Sequence, residues 1–374
     1  MTDMFDIAIV GGGPAGAATA LALRRRGPGR VLLVEASHFD GPRIGESIPP
    51  DTRLLLAELG LWDSFAAEGH DPCHGSCSSW GTEELGYNDF LFNPYGPGWH
   101  LDRQRFDAWL AHAAEAAGAR VCTGTRLSAL QRLAGGGFSL RLSRAGGQEE
   151  TVEAHLVVDA TGRPSRIARQ LGASRLLHDR LTFLYGFFPP GTGRRASSLT
   201  MLEAVPYGYW YAARLPDGRL VAAVAGDEQI VRDEGLHRLD AWRARLASTR
   251  HISGLLDVSP SSEVSLIACE APSARLDRAA GLGWLAVGDA ACAFDPLSSQ
   301  GIHKSLSDGL RAAAALHASL NGDSHALVAY ADAIESRFAE YLRNRAYLYS
   351  LEQRWADAPF WVRRRARSSL VEGS

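Results

Sequence analysis

The sequence predicts an α/β protein: a parallel-sheet core, an inserted antiparallel β-sheet and a helical C-terminal end. Three observations predict it. A strand, glycine turn, helix and second strand open the chain. Two further apolar runs that end in tight turns, LVVDATG (156–162) and GWLAVGDAA (283–291), lie far downstream. Between them the texture changes to short apolar runs separated by Pro/Gly turns such as PPGTG and LPDG.

Taken in order, FDIAIV (5–10) is the first strand, the Ala/Leu-rich segment 15–26 the helix, and VLLVE (31–35) the second strand. Residues 51–67 and 103–117 read as helices. Residues 119–130 and 136–144 alternate on either side of LAGGG, a hairpin signal. Strand-like runs at 182–188, 205–214, 219–226 and 263–269 make up the antiparallel sheet. Residues 301–318 and 326–350 read as helices, and the basic segment WVRRRARSS beyond them as a solvated tail. The division this gives is a nucleotide-binding domain over 1–177 and 271–325, a sheet domain over 178–270, and a C-terminal helical segment over 326–374. Residues 70–100 belong to the first domain but contribute to the substrate side.

Composition excludes several classes. The 374 residues are 46% hydrophobic, with 39 basic against 42 acidic side chains, a formal charge of −3. That balance argues against disorder and against general nucleic-acid binding. No stretch of 18 uninterrupted apolar residues offers a membrane span. The opening MTDMFDIAIV has no basic segment ahead of its apolar run, so no secretory signal is read and a cytoplasmic location is expected. The five cysteines are odd in number and scattered, which gives no disulfide framework. Cys73 and Cys77 flank His74, but nothing completes a zinc set, and no metal is expected.

Chemistry enters with Gly11, Gly13 and Gly16 in GGGPAG. Glycines at this spacing permit a tight turn, close approach of a pyrophosphate and close helix–strand packing, with Pro14 and Ala15 opening a helix whose N-terminus faces the phosphates. Glu35, followed by Ala36, ends the second strand 19 residues after Gly16, where an acid accepts hydrogen bonds from an adenosine ribose. This is a Rossmann-like fingerprint in its full context, and the acid favours FAD or NAD over a 2′-phosphorylated nucleotide. A second segment, GDAACAFDPLSSQGI, follows an apolar strand directly. It places Asp289 at a strand end, within reach of ribityl hydroxyls, and Asp295, Pro296, Gly301 and Ile302 in the loop beyond.

Together the two segments resemble the split flavin site of FAD monooxygenases with the para-hydroxybenzoate hydroxylase fold, the GR2 type of Rossmann domain. Within that superfamily the chain resembles the branch containing the tryptophan halogenases. GPRIGESIPP (41–50) is similar to that branch's G-E-(S/A)-x-x-P loop, which implies that Arg43, Glu46 and Ser47 lie beside the flavin. LDRQRFDAWL (101–110) matches the segment whose arginine, here Arg103, contacts FAD. VVDATGRPS (157–165) matches a D-A-T/S-G turn and brings in Asp159 and Gly162. The cofactor implied is FAD.

Halogenases of this branch carry a lysine some thirty residues past the glutamate of that loop. The corresponding stretch here, 70–81, has none, and the chain's one lysine is Lys304. Their G-W-x-W-x-I-P signature is also lost, because the segment that aligns with it is Gly208-Tyr209-Trp210-Tyr211-Ala212-Ala213-Arg214. What remains is similar to the flavoproteins that hydroxylate a protein tryptophan during maturation of cysteine tryptophylquinone enzymes. YLRNRAYLYSLEQRWADAPFWVRR (341–364) is similar in style to the tail of that group. On residues alone this run reads as an aromatic helix packed on the FAD domain, anchored by Trp355, Phe360 and Trp361. Thr161-Gly162 stands where phenol hydroxylases carry Asp-Gly, which points to a separate flavin reductase as electron source.

The roles that follow are these. Glu46, taken as ionised, accepts a ring or indole N–H proton or orients the substrate. His74 donates a proton to reduced oxygen, and Arg43 steadies the reacting edge of the flavin. Trp80, Tyr209 and Tyr211 line an aromatic slot, with the proviso that strand alternation turns at least one of Tyr209, Trp210 and Tyr211 away. The substrate is a small aromatic molecule or a protein tryptophan. The alternatives are an oxygen-independent flavin reductase resembling geranylgeranyl reductase and a non-catalytic flavin-binding maturation partner.

Overall fold

The computed structural model describes residues 3–27, 29–41, 43–190, 198–256 and 264–371. The apolar runs that open the chain and recur at 149–159 and 284–286 form the middle of an eight-stranded sheet. Asp3–Val10 lies between Glu149–Asp159 and Val31–Val34, parallel to both. Trp284–Ala286 extends this parallel set on one side and Arg120–Cys122 on the other. The strand Val31–Val34 is buried throughout, as expected of a parallel strand covered on both faces. The hairpin at 119–144 is present as Thr125–Arg132 against Phe138–Arg144, which pairs in turn with Glu149–Asp159.

The helix Pro14–Arg26 packs against the helices Arg103–Ala116 and Gly301–Leu320. Gly309 permits the closest of these approaches, since a Cβ there would stand 2.7 Å from that of Ala18. The expected helix over 51–67 is broken at Gly60, whose φ is +66°, into Thr52–Glu58 and Trp62–Ala66.

The inserted sheet has seven strands. In order they are Ile267–Glu270, Leu181–Phe188, Leu220–Asp227, Gly208–Arg214, Thr200–Val205, Gly75–Ser79 and Gly86–Asp89. The last two come from the 70–100 region and were not read as strands, because GSCSS and GYND are small and polar. The run 205–214 is not one strand: Pro206 and Tyr207 make a turn between two antiparallel strands. Residue 263, at the edge of another expected run, lies outside the described residues.

The C-terminal end corrects two expectations. The basic segment opens the helix Pro359–Val371 rather than a solvated tail. That helix packs on the inserted sheet, not on the nucleotide-binding sheet. Phe360 and Trp361 are fully buried in one cluster with Phe183, Tyr185 and Tyr209. Trp361 Nε1 donates to the Val205 carbonyl at 2.9 Å, and Arg364 Nη2 to Asp227 at 2.8 Å. An aromatic pair at successive helix positions and a paired arginine thus turn a basic run inward. No helix among the described residues is long and apolar enough to cross a membrane.

Candidate cofactor and substrate site

The glycine turn has the shape its spacing predicts. Gly11 has φ +112°, and a Cβ there would stand 2.0 Å from the Ala160 carbonyl oxygen; one on Gly16 would stand 1.9 Å from that of Gly11. Gly13 differs, for a Cβ there would meet nothing within 4 Å. It is the N-cap of Pro14–Arg26, and no side chain caps that end. The helix therefore presents uncapped N–H groups and the positive end of its dipole to an open cradle, which fits a pyrophosphate. Gly162 is equally open, with φ +73°.

Glu35 Oε2 accepts from Gly12 N–H at 2.7 Å, and Oε1 from Ser37 N–H and Oγ at 2.9 and 2.6 Å. Ala36 is exposed beside it. Arg43 lies on this side too, 3.8 Å from Glu35 and 2.6 Å from Asp107. It does not line the central cavity, so its expected place at a reacting edge is corrected to one near Glu35. Arg103 does line the cavity, holding Asp107 at 3.1 Å and the Ile44 carbonyl at 2.6 Å. Asp159 is fully buried and occupied by Thr161 and Ala168, whose N–H groups it accepts at 3.0 and 2.8 Å. It shapes the turn and is not available for direct contact with a cofactor.

A cavity of about 320 Å³ lies where the two sheets meet. Gly13, Pro14, Ala15 and Gly162 bound it at the nucleotide end, with Asp289, Pro296, Gly301 and Ile302 from the downstream loop. Asp289 is held by Arg163 at 3.3 Å and Lys304 at 3.9 Å. The opposite wall is the inserted sheet, where Tyr209 and Tyr211 point in from alternate positions of one strand. Their cross-strand partners Ala225 and Ala223 are small and leave room beside the rings. Trp210 points the other way, against Trp242.

Each inward tyrosine meets a carboxylate. The Tyr211 hydroxyl lies 2.5 Å from Glu46 Oε1, and Tyr209 donates to Asp295 Oδ1 at 2.7 Å. The two acids differ. Burial pushes the Glu46 carboxyl up from its ordinary value, and Tyr211 and Arg103 only partly oppose this. Burial would push Asp295 up as well, but Arg345, the Leu297 N–H and the hydroxyls of Tyr209 and Tyr349 outweigh it and hold it down. Burial keeps both cavity tyrosines protonated, with the Asp295 carboxylate adding to it at Tyr209. Burial thus works against the ionised Glu46 expected from the sequence.

Two other assignments move. His74 is exposed at the bend between strands Asp71–Cys73 and Gly75–Ser79 and does not reach the cavity. Trp80 stands behind the wall, packed on Tyr209, Tyr349 and Trp361, its Nε1 donating to the Leu348 carbonyl at 2.8 Å. The histidine connected to the site is His100, 1% exposed, whose Nε2 lies 2.9 Å from Thr200 Oγ1. Sequence reasoning missed both; the alternation of GWH, which turns His100 inward, was the available signal. Phe183, Leu202 and Cys269 also line the cavity unforeseen. Among the described residues no cluster of His, Cys, Asp and Glu could hold a metal.

The two-sheet fold and its split glycine cradle define a flavoprotein, and the chain belongs to the FAD-binding monooxygenase and halogenase-like superfamily. Residues 4–186 match the family described as FAD binding domain. The chain is 30% identical over 373 residues, spanning 100% of both chains, to the FAD-dependent oxidoreductase LodB of Marinomonas mediterranea. It is 25% identical to the tryptophan 2-halogenase of Chondromyces crocatus, over 95% of this chain and 70% of that one. Among solved structures it is similar to the peptidyl tryptophan dihydroxylase QhpG, at 29% identity and a TM-score of 0.78, covering 96% of this chain and 78% of that one. The chondrochloren halogenase CndH shares the fold, with a TM-score of 0.85 at 24% identity over 99% and 89% of the two chains. The chain is thus a flavin-dependent enzyme of the monooxygenase and halogenase class, and its cofactor is FAD.

Proposed function

We propose that this protein is an FAD-dependent monooxygenase that adds oxygen to an electron-rich aromatic ring, an indole, and that its target is the tryptophan side chain of a partner polypeptide. The observation that carries this reading is a cavity that joins the glycine cradle to an aromatic wall containing no lysine. FAD, when bound and reduced, supplies the electrons that activate dioxygen. The helix N-terminus behind Gly13 would hold the pyrophosphate, Glu35 the ribose and Asp289 the ribityl chain. Phe183, Leu202 and Tyr209 would flank the ring and exclude water from it. Glu46 would hold or move a proton at the ring nitrogen or at the oxygen being added.

Hydroxylation is favoured over halogenation by the fate of lysine. Residues 70–81 contain none, and Lys304 is 3% exposed, in an ion pair of 3.1 Å with Asp308 on its own helix. The name of QhpG supports a peptidyl tryptophan as target, and Thr161-Gly162 supports a separate reductase as electron source. To test this, the FAD-loaded protein would be given a flavin reductase, NADH and isotopically heavy dioxygen, with indole, free tryptophan and tryptophan-containing peptides in parallel. Heavy oxygen in a peptidyl indole ring is the expected result. Incorporation into free indoles alone would overturn the polypeptide target, and a substrate changed without heavy oxygen would overturn monooxygenation.

A further inference from the structure

We propose that Glu46, Tyr211, Ser47, Thr200 and His100 form a proton wire with two states, and that Glu46 rests as the neutral carboxylic acid. This deepens the preceding reading by naming how Glu46 gains and loses its proton without water entering the cavity. The contacts are continuous: Glu46 to Tyr211 at 2.5 Å, Tyr211 to Ser47 at 3.0 Å, Ser47 to Thr200 at 3.0 Å and Thr200 to His100 Nε2 at 2.9 Å.

Counting protons gives the two states. Four contacts need four hydrogens, and the hydroxyls of Tyr211, Ser47 and Thr200 supply three. The fourth sits at one end of the wire. If it is on Glu46, every group donates away from the cavity and His100 Nε2 accepts. If it is on His100 Nε2, every group donates toward an ionised Glu46. No arrangement with an ionised Glu46 and an unprotonated Nε2 satisfies all four contacts.

The ends decide which state rests. Glu46 and His100 are each 1% exposed, so the state with Glu46 ionised desolvates a carboxylate, and an imidazolium as well when Nδ1 is also protonated, whereas the state with Glu46 protonated leaves both ends neutral. Burial raises the Glu46 pKa and lowers that of His100 to about 4, in keeping with the neutral state. The groups facing the wire are Arg103 near Glu46, Cys73 beside Thr200 at 3.8 Å, and Arg214 near His100. Arg214 is itself paired with Asp71 at 2.7 Å, and both are partly exposed.

The step balances. From the resting state the Glu46 proton passes to Tyr211, that of Tyr211 to Ser47, that of Ser47 to Thr200 and that of Thr200 to His100 Nε2, which leaves Glu46 ionised and able to take a proton from the cavity. The return runs from His100 Nε2 back to Glu46 by the same four transfers. Each hydroxyl gives one proton and takes one.

The test needs neither substrate nor turnover. Infrared spectra of the full-length, FAD-loaded protein at neutral pH would be followed after transfer to D₂O. A protonated carboxyl band absent from E46Q, and displaced in Y211F, assigns the Glu46 acid. Its exchange is expected to slow at least tenfold in T200V, which keeps the shape but removes the hydroxyl, and to recover in T200S. T200V leaves buried partners unpaired and should melt somewhat below the wild type, so exchange is compared at a temperature where both are fully folded. A band belonging to a carboxylate, or a T200V rate equal to wild type, would overturn the wire. Absence of oxygen insertion with this exchange pattern intact would overturn the proposed function alone.

Discussion

At the scale of single residues, two glycines two positions apart separate folding from binding. A methyl group at Gly11 would collide with the Ala160 carbonyl, at a φ that L-residues rarely adopt. One at Gly13 would enter open space in the cradle. G11A should therefore lower the melting temperature and abolish FAD binding, whereas G13A should melt with the wild-type apoprotein and bind FAD at least tenfold more weakly. Thermal unfolding and titration of flavin fluorescence distinguish the two. Residue spacing made this turn legible, because backbone geometry there depends on which residue lacks a side chain. The state of Glu46 was not legible. The upward push on its pKa follows from how deeply the GESIPP loop is buried beneath Tyr211, a property of the assembled fold. His74 was expected at the site and His100 went unconsidered for a related reason: whether a histidine faces inward depends on strand register.

At the scale of elements, the helix Pro359–Val371 is the piece whose role differs most from its composition. Arginines dominate the run, yet Phe360 and Trp361 are fully buried and Val362 is 42% exposed. F360A and W361A should each destabilise the protein by about 3–5 kcal/mol, and V362A by under about 0.5 kcal/mol, in denaturant unfolding. Equal, small effects would mean that the helix does not hold the inserted sheet. The strands and helices of the nucleotide-binding half were legible because each carries a strong period or an apolar run bounded by glycine. Gly75–Ser79 and Gly86–Asp89 were not, because sheet pairing there is enforced by neighbours: Gly75–Ser79 runs parallel to Thr200–Val205, a contact across more than a hundred residues.

At the scale of the whole molecule, buried histidines set a pH dependence of stability. Burial lowers His70 and His100 to about 4 from an ordinary value of 6.5. Between those limits the unfolded chain binds more protons than the native one, so stability rises with pH across the window and is lost on acidification. Each histidine contributes a slope of about 1.4 kcal/mol per pH unit, the raised Glu46 contributes with the opposite sign above its ordinary value, and H100Q should remove one histidine's share. Unfolding midpoints from pH 4 to pH 7 measure both. The larger question is what the assembled cavity does with reduced FAD and dioxygen. The most direct measurement is the mass of the product formed from a tryptophan peptide when FAD-loaded protein, a reductase and dioxygen act in saturating bromide. The account predicts addition of oxygen and no bromine, because no lysine borders the cavity; a brominated ring would contradict it.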